Sequence, residues 1–427
     1  MSTPAPPTPD GLPVLGHALA FSRDPLAFLE RSVGDHGDVV GLSMPGNSGV
    51  LVAHPAEIER VLVDDADAFP KGDFQRRELG GLLGDGSLIA DGETWRRRRQ
   101  ALQPAFYARR VEAAEPAMRA ATRQVAGDWR DGDTVDAFDA ATTLTLSVLA
   151  DAFFDVDVAD DHDTIAAAAD AIAARFAHDE GIPFYVPDWV PLPSHRRYKR
   201  AVTDLEGVAY DLADTGADDA SDVLAAILDS DLGREELRDE LVTLLLAGHE
   251  TTSTALTAAV HCLATNPGEQ ARVRDALDAA DDPADADSLR AAVDEALRLY
   301  PPVHMLMREA AEPTELGGYR VPEGSLVGLP QWVVHRDDRW WDDPEAYRPE
   351  RFIGDDTDDR PEFAYFPFGG GQRQCIGRRF ALQELRVALA ELLADYRFEA
   401  TDDTDFDPAP GLTLRPGGPV EVRVRER

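Results

Sequence analysis

Two cysteines occur in this 427-residue chain, and one of them, Cys375, stands where a sulfur could do chemistry. The stretch FPFGGGQRQCIGRRFALQE, Phe366 to Glu384, surrounds it with glycines and arginines. Zinc or an iron–sulfur cluster needs about four ligands, and no second cysteine lies nearby in sequence. Three uses stay open: a nucleophile served by a histidine base, a single thiolate ligand to haem iron, or an idle cysteine in a glycine-rich turn. Apolar residues at 380, 385, 389, 392 and 396 predict a helix that starts just after Cys375. The positive end of that helix and its free amides favour an anion on the sulfur. Gly369, Gly370, Gly371 and Gly377 permit a tight turn and close approach of backbone to a flat ring. Arg373 is two residues from the cysteine, within reach of a carboxylate. Cys262, in the helical run TALTAAVHCLATNP, reads as a small core residue.

Other segments carry polar groups at helical spacing. In EALR, Glu295 and Arg298 lie one turn apart on one face, which alone describes an ordinary solvated ion pair. LLLAGHETTSTAL (244–256) is an apolar helix with a polar interruption. Gly248 costs about 1 kcal/mol against alanine there, and Thr251 and Thr252 are β-branched. That weak spot is either a small-residue packing site or a functional distortion. WRRRRQALQPAF (95–106) places four arginines in a row, with Trp95 and Arg99 on one helical face. By itself it is a solvated basic face. Leu88, Ile89, Val303 and Met305 read, alone, as core packing.

The elements that must position these residues follow from pattern. Residues 1–20 are Pro-rich and expected to be extended. A helix is predicted near 23–35, then two short strands around a Pro-Gly-Asn turn. PAEIERVLV starts a helix on its proline, and a glycine-rich loop is expected at 80–92. From 93 to about 300 the pattern is helical, broken by loops at 181–193 and 281–288. ELGGYRVPEGSLVGLPQWVVH alternates like strands. An irregular meander (336–364), the cysteine segment, a long helix and a β-rich tail complete a chain without repeats or linkers. One mainly α domain with a minor β part, residues 1–427, is the economical reading.

Phe368, Gly371, Arg373, Cys375 and Gly377 match F-x-x-G-x-R-x-C-x-G, which resembles the haem-binding signature of the cytochrome P450 family. AGHETT, EALR, PERF and the aromatic meander HRDDRWWDDPEAYRPERF follow the family's order, so the resemblance spans almost the whole chain. It implies a triangular helical prism with haem b (iron protoporphyrin IX) between an oxygen-binding helix and the cysteine-loop helix. By resemblance Cys375 is the axial iron ligand. Glu295, Arg298 and Arg351 form a buried structural network. Trp95, Arg99, Arg308 and Arg373 meet the propionates, and Pro367, Phe368, Gly369, Ile376, Gly377 and Ala381 line the cofactor. Ala247 and Gly248 leave room for oxygen; Thr251 and Glu250 manage protons. Leu88, Ile89, Leu244, Ala247, Val303 and Met305 face the substrate, and 187–201 approaches an access lid. The implied activity inserts one atom of O2 into an apolar molecule such as a fatty acid, terpenoid or steroid. Two electrons come from a separate ferredoxin or flavodoxin-type donor docked on the arginine-rich proximal face. A non-catalytic haem sensor or a haem-thiolate isomerase could share the fold, but neither needs the Glu250–Thr251 pair.

Composition sets the surroundings. Forty-two basic residues against 80 acidic ones give a net charge of −38, with the acids spread along the chain. Lysine occurs only at Lys71 and Lys199. Hydrophobic residues make up 44%, with 6 Trp, 17 Phe and 9 Tyr, which excludes an acidic disordered protein. The charge excludes nucleic acid as a partner. Apolar runs fall short of the roughly 18 residues that span a bilayer, and MSTPAPPTPDGLPVLG has no signal-peptide pattern. Two cysteines suit a reducing cytoplasm, and the acidity suits a salt-rich one, as in a halophilic archaeon. Molar salt screens like charges beyond ~3 Å, against ~30 Å at 0.01 M. The melting temperature should therefore fall steadily as salt is removed; a flat profile from molar to millimolar salt would refute a high-salt adaptation.

Overall fold

The structure is a computed structural model, which describes residues 3–154, 159–176, 190, 192–214, 221–354 and 360–427. Its axis is the helix Arg234–Thr265, 32 residues long and buried on every side over most of its length. A run that is apolar around its whole circumference has to be enclosed. Here the helices Ala137–Val148, Pro193–Asp214, Asp287–Leu299 and Arg378–Asp395 enclose it. Its first turn is fixed by the Glu236 carboxylate, which accepts the Gly233 N–H at 3.0 Å. Among the described residues no helix is long and apolar enough to cross a membrane.

The main sheet runs Val39–Met44, Asn47–Val52, Leu326–Leu329, Leu306–Glu309. The first two strands pair antiparallel across the expected turn, with Val39 opposite Val52. The second and third are parallel, with Gly49 opposite Leu326. The β-rich tail is present: Glu421–Glu426 pairs with Tyr396–Ala400 and Thr134–Asp136, and Leu414–Pro416 with Pro408–Pro410.

Three local expectations are corrected. Gly80 and Gly81 belong to the helix Gly72–Leu83, and the turn begins at Gly84 (φ +56°), whose left-handed backbone stops the helix. QWVV coils into the helical turn Gln331–Val334, because Pro330 cannot donate to the strand ladder. The N-terminal segment is extended only as far as Gly11: Leu12 and Gly16 close a tight turn on each other before the helix Ala18–Arg23; Gly41 and Arg320 donate to the carbonyls of Pro7 and Pro4. Apart from 190, 192 and 193, the expected loop at 181–193 lies outside the described residues, as does that part of the expected lid approach.

The chain between Asp287 and Phe366 is organised by one guanidinium. Arg298 is fully buried and its five N–H donors all find acceptors. Two go to Glu295 (2.7 and 2.8 Å), and the others to the carbonyls of His335 (2.8 Å), Pro344 (2.7 Å) and Ala346 (3.2 Å). Glu295 also accepts Arg351 Nε at 3.2 Å and the Arg348 N–H at 2.9 Å. The expected three-residue network is therefore present and enlarged by backbone. His335 passes the constraint on: its Nε2 accepts the Phe366 N–H at 3.0 Å, at the doorstep of the cysteine segment. Burial, then the charges of Arg298 and Arg336, push the His335 pKa far down, which keeps the ring neutral and able to accept.

The helix Arg378–Asp395 starts where its apolar spacing predicts, with Gly377 at its N-cap. It carries one anomaly. Glu384 is buried (2% exposed) and its Oε1 has no hydrogen-bond partner. Burial holds its carboxyl well above the usual carboxylate range. The unfolded chain ionises this group near the ordinary value, about 4.3, and the folded chain only far above it, so stability falls as pH rises between the two. Glu384→Gln removes that slope. Its melting temperature should exceed the wild type's by a gap that widens from about pH 5 to about pH 8; a pH-independent gap would mean that Glu384 ionises freely in the fold.

Candidate active site

The cysteine loop is shaped by close approaches. A Cβ on Gly370 would overlap the Phe363 ring, and one on Gly371 (φ +64°) would overlap the Leu62 carbonyl. These two glycines thus yield to protein neighbours, not only to a flat ligand. Gly369 is also left-handed (φ +68°). The Cys375 N–H donates to the Phe368 carbonyl at 3.0 Å, closing the turn, and Ala381 N–H donates to Gly377 at 2.9 Å as the helix begins. The backbone amides of Gly377 and Arg378 are aimed at the sulfur. Burial nonetheless pushes the Cys375 thiol up; those amides and the charges of Arg99 and Arg378 oppose it without overcoming it. Cys375 still keeps accessible surface. Pro367, Phe368 and Ile376 are half-buried beside it.

A nest of cations lies next to the loop. The Arg373 guanidinium stacks over Trp95, 4.5 Å from the ring centre. Its Nη2 donates to Asp91 at 2.6 Å, while Nη1 is buried with no partner. Arg308 is buried, and desolvation followed by the Arg373 charge pushes its pKa down to about 10. Burial, then Arg308 and Arg373, drive the Lys71 ammonium well below the usual lysine value. Burial also lowers Arg99, whose charge acts on Cys375. Asp91 is the carboxylate facing this group. It accepts the N–H groups of Lys71 (3.0 Å) and Gly72 (3.2 Å) and Arg76 Nη2 at 2.7 Å. One carboxylate against Lys71, Arg308 and Arg373 leaves positive charge in excess and a buried donor unmet. That is the donor set for a ligand with carboxylates at one edge, and the propionates of a haem fit it.

The sequence picked out Trp95, Arg99, Arg308 and Arg373, and the structure brings them together. It missed Lys71, Arg76 and Asp91. Lys71 was recoverable in one respect, being one of only two lysines in the chain.

The opposite wall comes from the long helix. From Leu237 to Ala264 it is buried except at Ala247, Gly248 and Thr251. Positions i, i+1 and i+4 form one face, so the helix opens at a single turn. Thr251 Oγ1 donates to the Ala247 carbonyl at 2.8 Å. A Cβ on Gly248 would stand 3.2 Å from Leu149, so this glycine serves packing, and Ala247 is the open position. Glu250 is buried and turned elsewhere. Its carboxylate accepts Arg415 Nε at 2.9 Å and the Thr413 hydroxyl, and Arg415 reaches on to the exposed Asp170 at 2.9 Å. None of these partners was expected.

Of the substrate-facing residues, Leu88 (43% exposed), Val303 and Met305 keep accessible surface. Ile89 and Leu244 do not: both are packed in the helical core with Leu82, Leu102 and Phe106. The four arginines do not make one basic patch. A helix turns about 100° per residue, so consecutive side chains leave in different directions. Arg97 pairs with Glu236; Arg98 is buried on Asp239 (3.3 Å) and Glu240 (3.1 Å). Arg96, Arg378 and Arg379 are exposed.

Comparison with known proteins agrees with this geometry. The family model described as Cytochrome P450 matches residues 6–422. Cyclooctatin synthase of Streptomyces melanosporofaciens is 33% identical over 96% of this chain and 93% of its own length. Pentalenene oxygenase of Streptomyces avermitilis is 30% identical over 98% of this chain and 97% of its own. The crystal structure of CYP175A1 from Thermus thermophillus superposes with a TM-score of 0.80 at 31% identity, covering 96% of this chain and 97% of that one. The chain belongs to the cytochrome P450 family, whose members bind haem and use O2 and a redox partner, and it is a haem-thiolate monooxygenase of apolar molecules.

Proposed function

We propose that residues 1–427 form one catalytic domain, in which Cys375 ligates the iron of haem b and Trp95, Arg99, Arg308, Arg373 and Lys71 hold its propionates. The observation that carries this reading is the pairing of a sulfur that receives two backbone amides with a cation nest short of anionic partners. When bound, the haem supplies the oxygen chemistry. The protein's own residues supply binding, orientation and protons. The amides of Gly377 and Arg378 temper charge on the sulfur. Thr251 Oγ1 lies at the accessible turn around Ala247 and presents a hydroxyl proton there once it releases the Ala247 carbonyl. Glu250 carries protons toward that turn, and to do so its carboxylate must loosen from Arg415 and Thr413. Asp170, exposed beyond Arg415, is the solvent end of the route. Ala247, Leu88, Val303 and Met305 form the apolar wall.

The substrate is a terpenoid-sized apolar molecule; the names of two Streptomyces relatives, pentalenene oxygenase and cyclooctat-9-en-7-ol 5-monooxygenase, support that class. The donor is an acidic ferredoxin or flavodoxin-type protein that meets Arg96, Arg378 and Arg379. The working compartment is a salt-rich cytoplasm, as in a halophilic archaeon.

Reduced with dithionite under CO, the protein should show the strongly red-shifted Soret band of thiolate ligation, and Cys375→Ala should abolish it; a globin-like band in the folded wild type ends the proposal. With a ferredoxin donor, Thr251→Ala should lower product formed per electron by on the order of a hundredfold, the low end of what positioned proton transfer contributes, with the CO band intact. In the same assay Arg379→Glu should instead weaken donor affinity and flatten its salt dependence. Unchanged coupling in the first variant, or unchanged donor affinity in the second, removes that residue from its role.

A further inference from the structure

A buried ionic knot lies at the entry of the long helix, away from Cys375, and the oxygen chemistry makes no use of it. Glu240 is fully buried. One of its oxygens accepts the Ser87 N–H at 2.8 Å and the other the Ser87 hydroxyl at 2.7 Å, while Arg98 Nη1 lies 3.1 Å from the first. Its neighbour Asp239 accepts the Asp85 N–H at 3.0 Å, Arg98 Nη2 at 3.3 Å and Arg238 Nη1 at 2.7 Å. The turn is pressed onto the helix: a Cβ on Gly84 would overlap Asp239, and one on Gly86 would stand 2.7 Å from Thr243 Oγ1.

The same stretch of chain is held at its other end by Asp91 on Lys71, Gly72, Arg76 and Arg373. Leu88, Ile89 and Ala90 are thus suspended between two fixed points. Ile89 is a peg in the core, and Leu88 is left accessible. Glu240 and Ala247 share one helix and are seven residues apart, about two turns. A turn clamped to that helix keeps a fixed offset from the accessible face further along it. Buried charges are a weak way to add stability, and Ile89 already anchors the stretch by burial. The benefit of the knot is therefore position.

We propose that Glu240 and Ser87 are positioning residues that set where Leu88 stands in the pocket wall, and hence which apolar substrates the enzyme prefers. This rests on the reading of Leu88 as a wall residue in the proposed function. It predicts that the anchor acts on selectivity while leaving the cysteine loop alone.

The test uses ferric holoenzyme and three probes of different shape: dodecanoic acid, nerolidol and progesterone. Dissociation constants come from substrate-induced difference spectra, for wild type, Ser87→Ala, Ser87→Thr and Glu240→Gln. In Ser87→Ala the ratios among the three constants should depart from wild type by about threefold or more, less than the roughly 10–200-fold that a methylene gained or lost in a pocket is worth, because the wall residue is shifted and not removed. Ser87→Thr restores the hydroxyl and should restore the ratios. Glu240→Gln should move them in the same direction as Ser87→Ala. The reduced CO band should be the same in all four. Unaltered ratios beside a lowered melting temperature, or equal weakening of every probe, would show a merely structural knot and overturn the anchor. A wild type without the thiolate-type CO band defeats the proposed function itself, a result that the ratios among variants cannot mimic.

Discussion

A guanidinium removed from water has five donors to satisfy, and the structure around Cys375 depends on how Arg298 satisfies them. Two go to Glu295 in the preceding turn of its own helix. Three go to carbonyls of a segment with little regular structure of its own. Leaving any of these unmet would cost roughly 1–3 kcal/mol, more for a charged group, so the segment has little freedom. His335 lies on that segment, and its neutral ring holds the Phe366 amide. From Phe366 the constraint runs through the Phe368 carbonyl to the cysteine's own N–H. The sulfur is placed by a buried ion pair that never touches it.

The charges of this chain are sorted by depth. Acids dominate the total and, in the described regions, most face water, where hydration and salt dilute their repulsion. The interior is not acid-rich: among the described residues six arginines and five acids are buried. Lys71, Arg308 and Arg373 are desolvated together with one carboxylate among them, an arrangement that is unfavourable until an anion joins it. Where Arg98 is buried, by contrast, Asp239 and Glu240 already meet it. The protein thus distinguishes two kinds of buried arginine, one neutralised from within and one left for a ligand.

What was legible in the sequence is what local spacing encodes. Cys375 before a helix, Glu295 and Arg298 one turn apart and Arg373 two residues from the sulfur follow from neighbours in the chain, whereas local pattern showed only a weak spot near Gly248 and the family resemblance supplied the opening at Ala247. The partners that complete them come from afar and leave no local mark. Nothing near Glu250 announces Arg415, and nothing near Arg373 announces Asp91. Nothing near Ser87, inside its glycine-rich turn, announces Glu240. Two expectations failed on geometry that short-range pattern does contain. Four adjacent arginines on a helix have to diverge, and a Gly-Gly pair need not end a helix whose next residues are leucines. Ile89 and Leu244 were misplaced for a different reason: an apolar side chain reads the same whether it lines a pocket or fills a core.

The Asp91–Arg373 contact joins residues 282 positions apart, and Glu250–Arg415 joins residues 165 apart. During synthesis at roughly 5–20 residues per second, the first half of the site waits many seconds for the second. Until Arg373 and Cys375 emerge, the Asp91 side has no cysteine loop to close on, and the acid of the long helix lacks its arginine until residue 415 is made. Cofactor capture is therefore a late event in the life of each molecule, and the interval before it is when the half-built cleft is most exposed to aggregation.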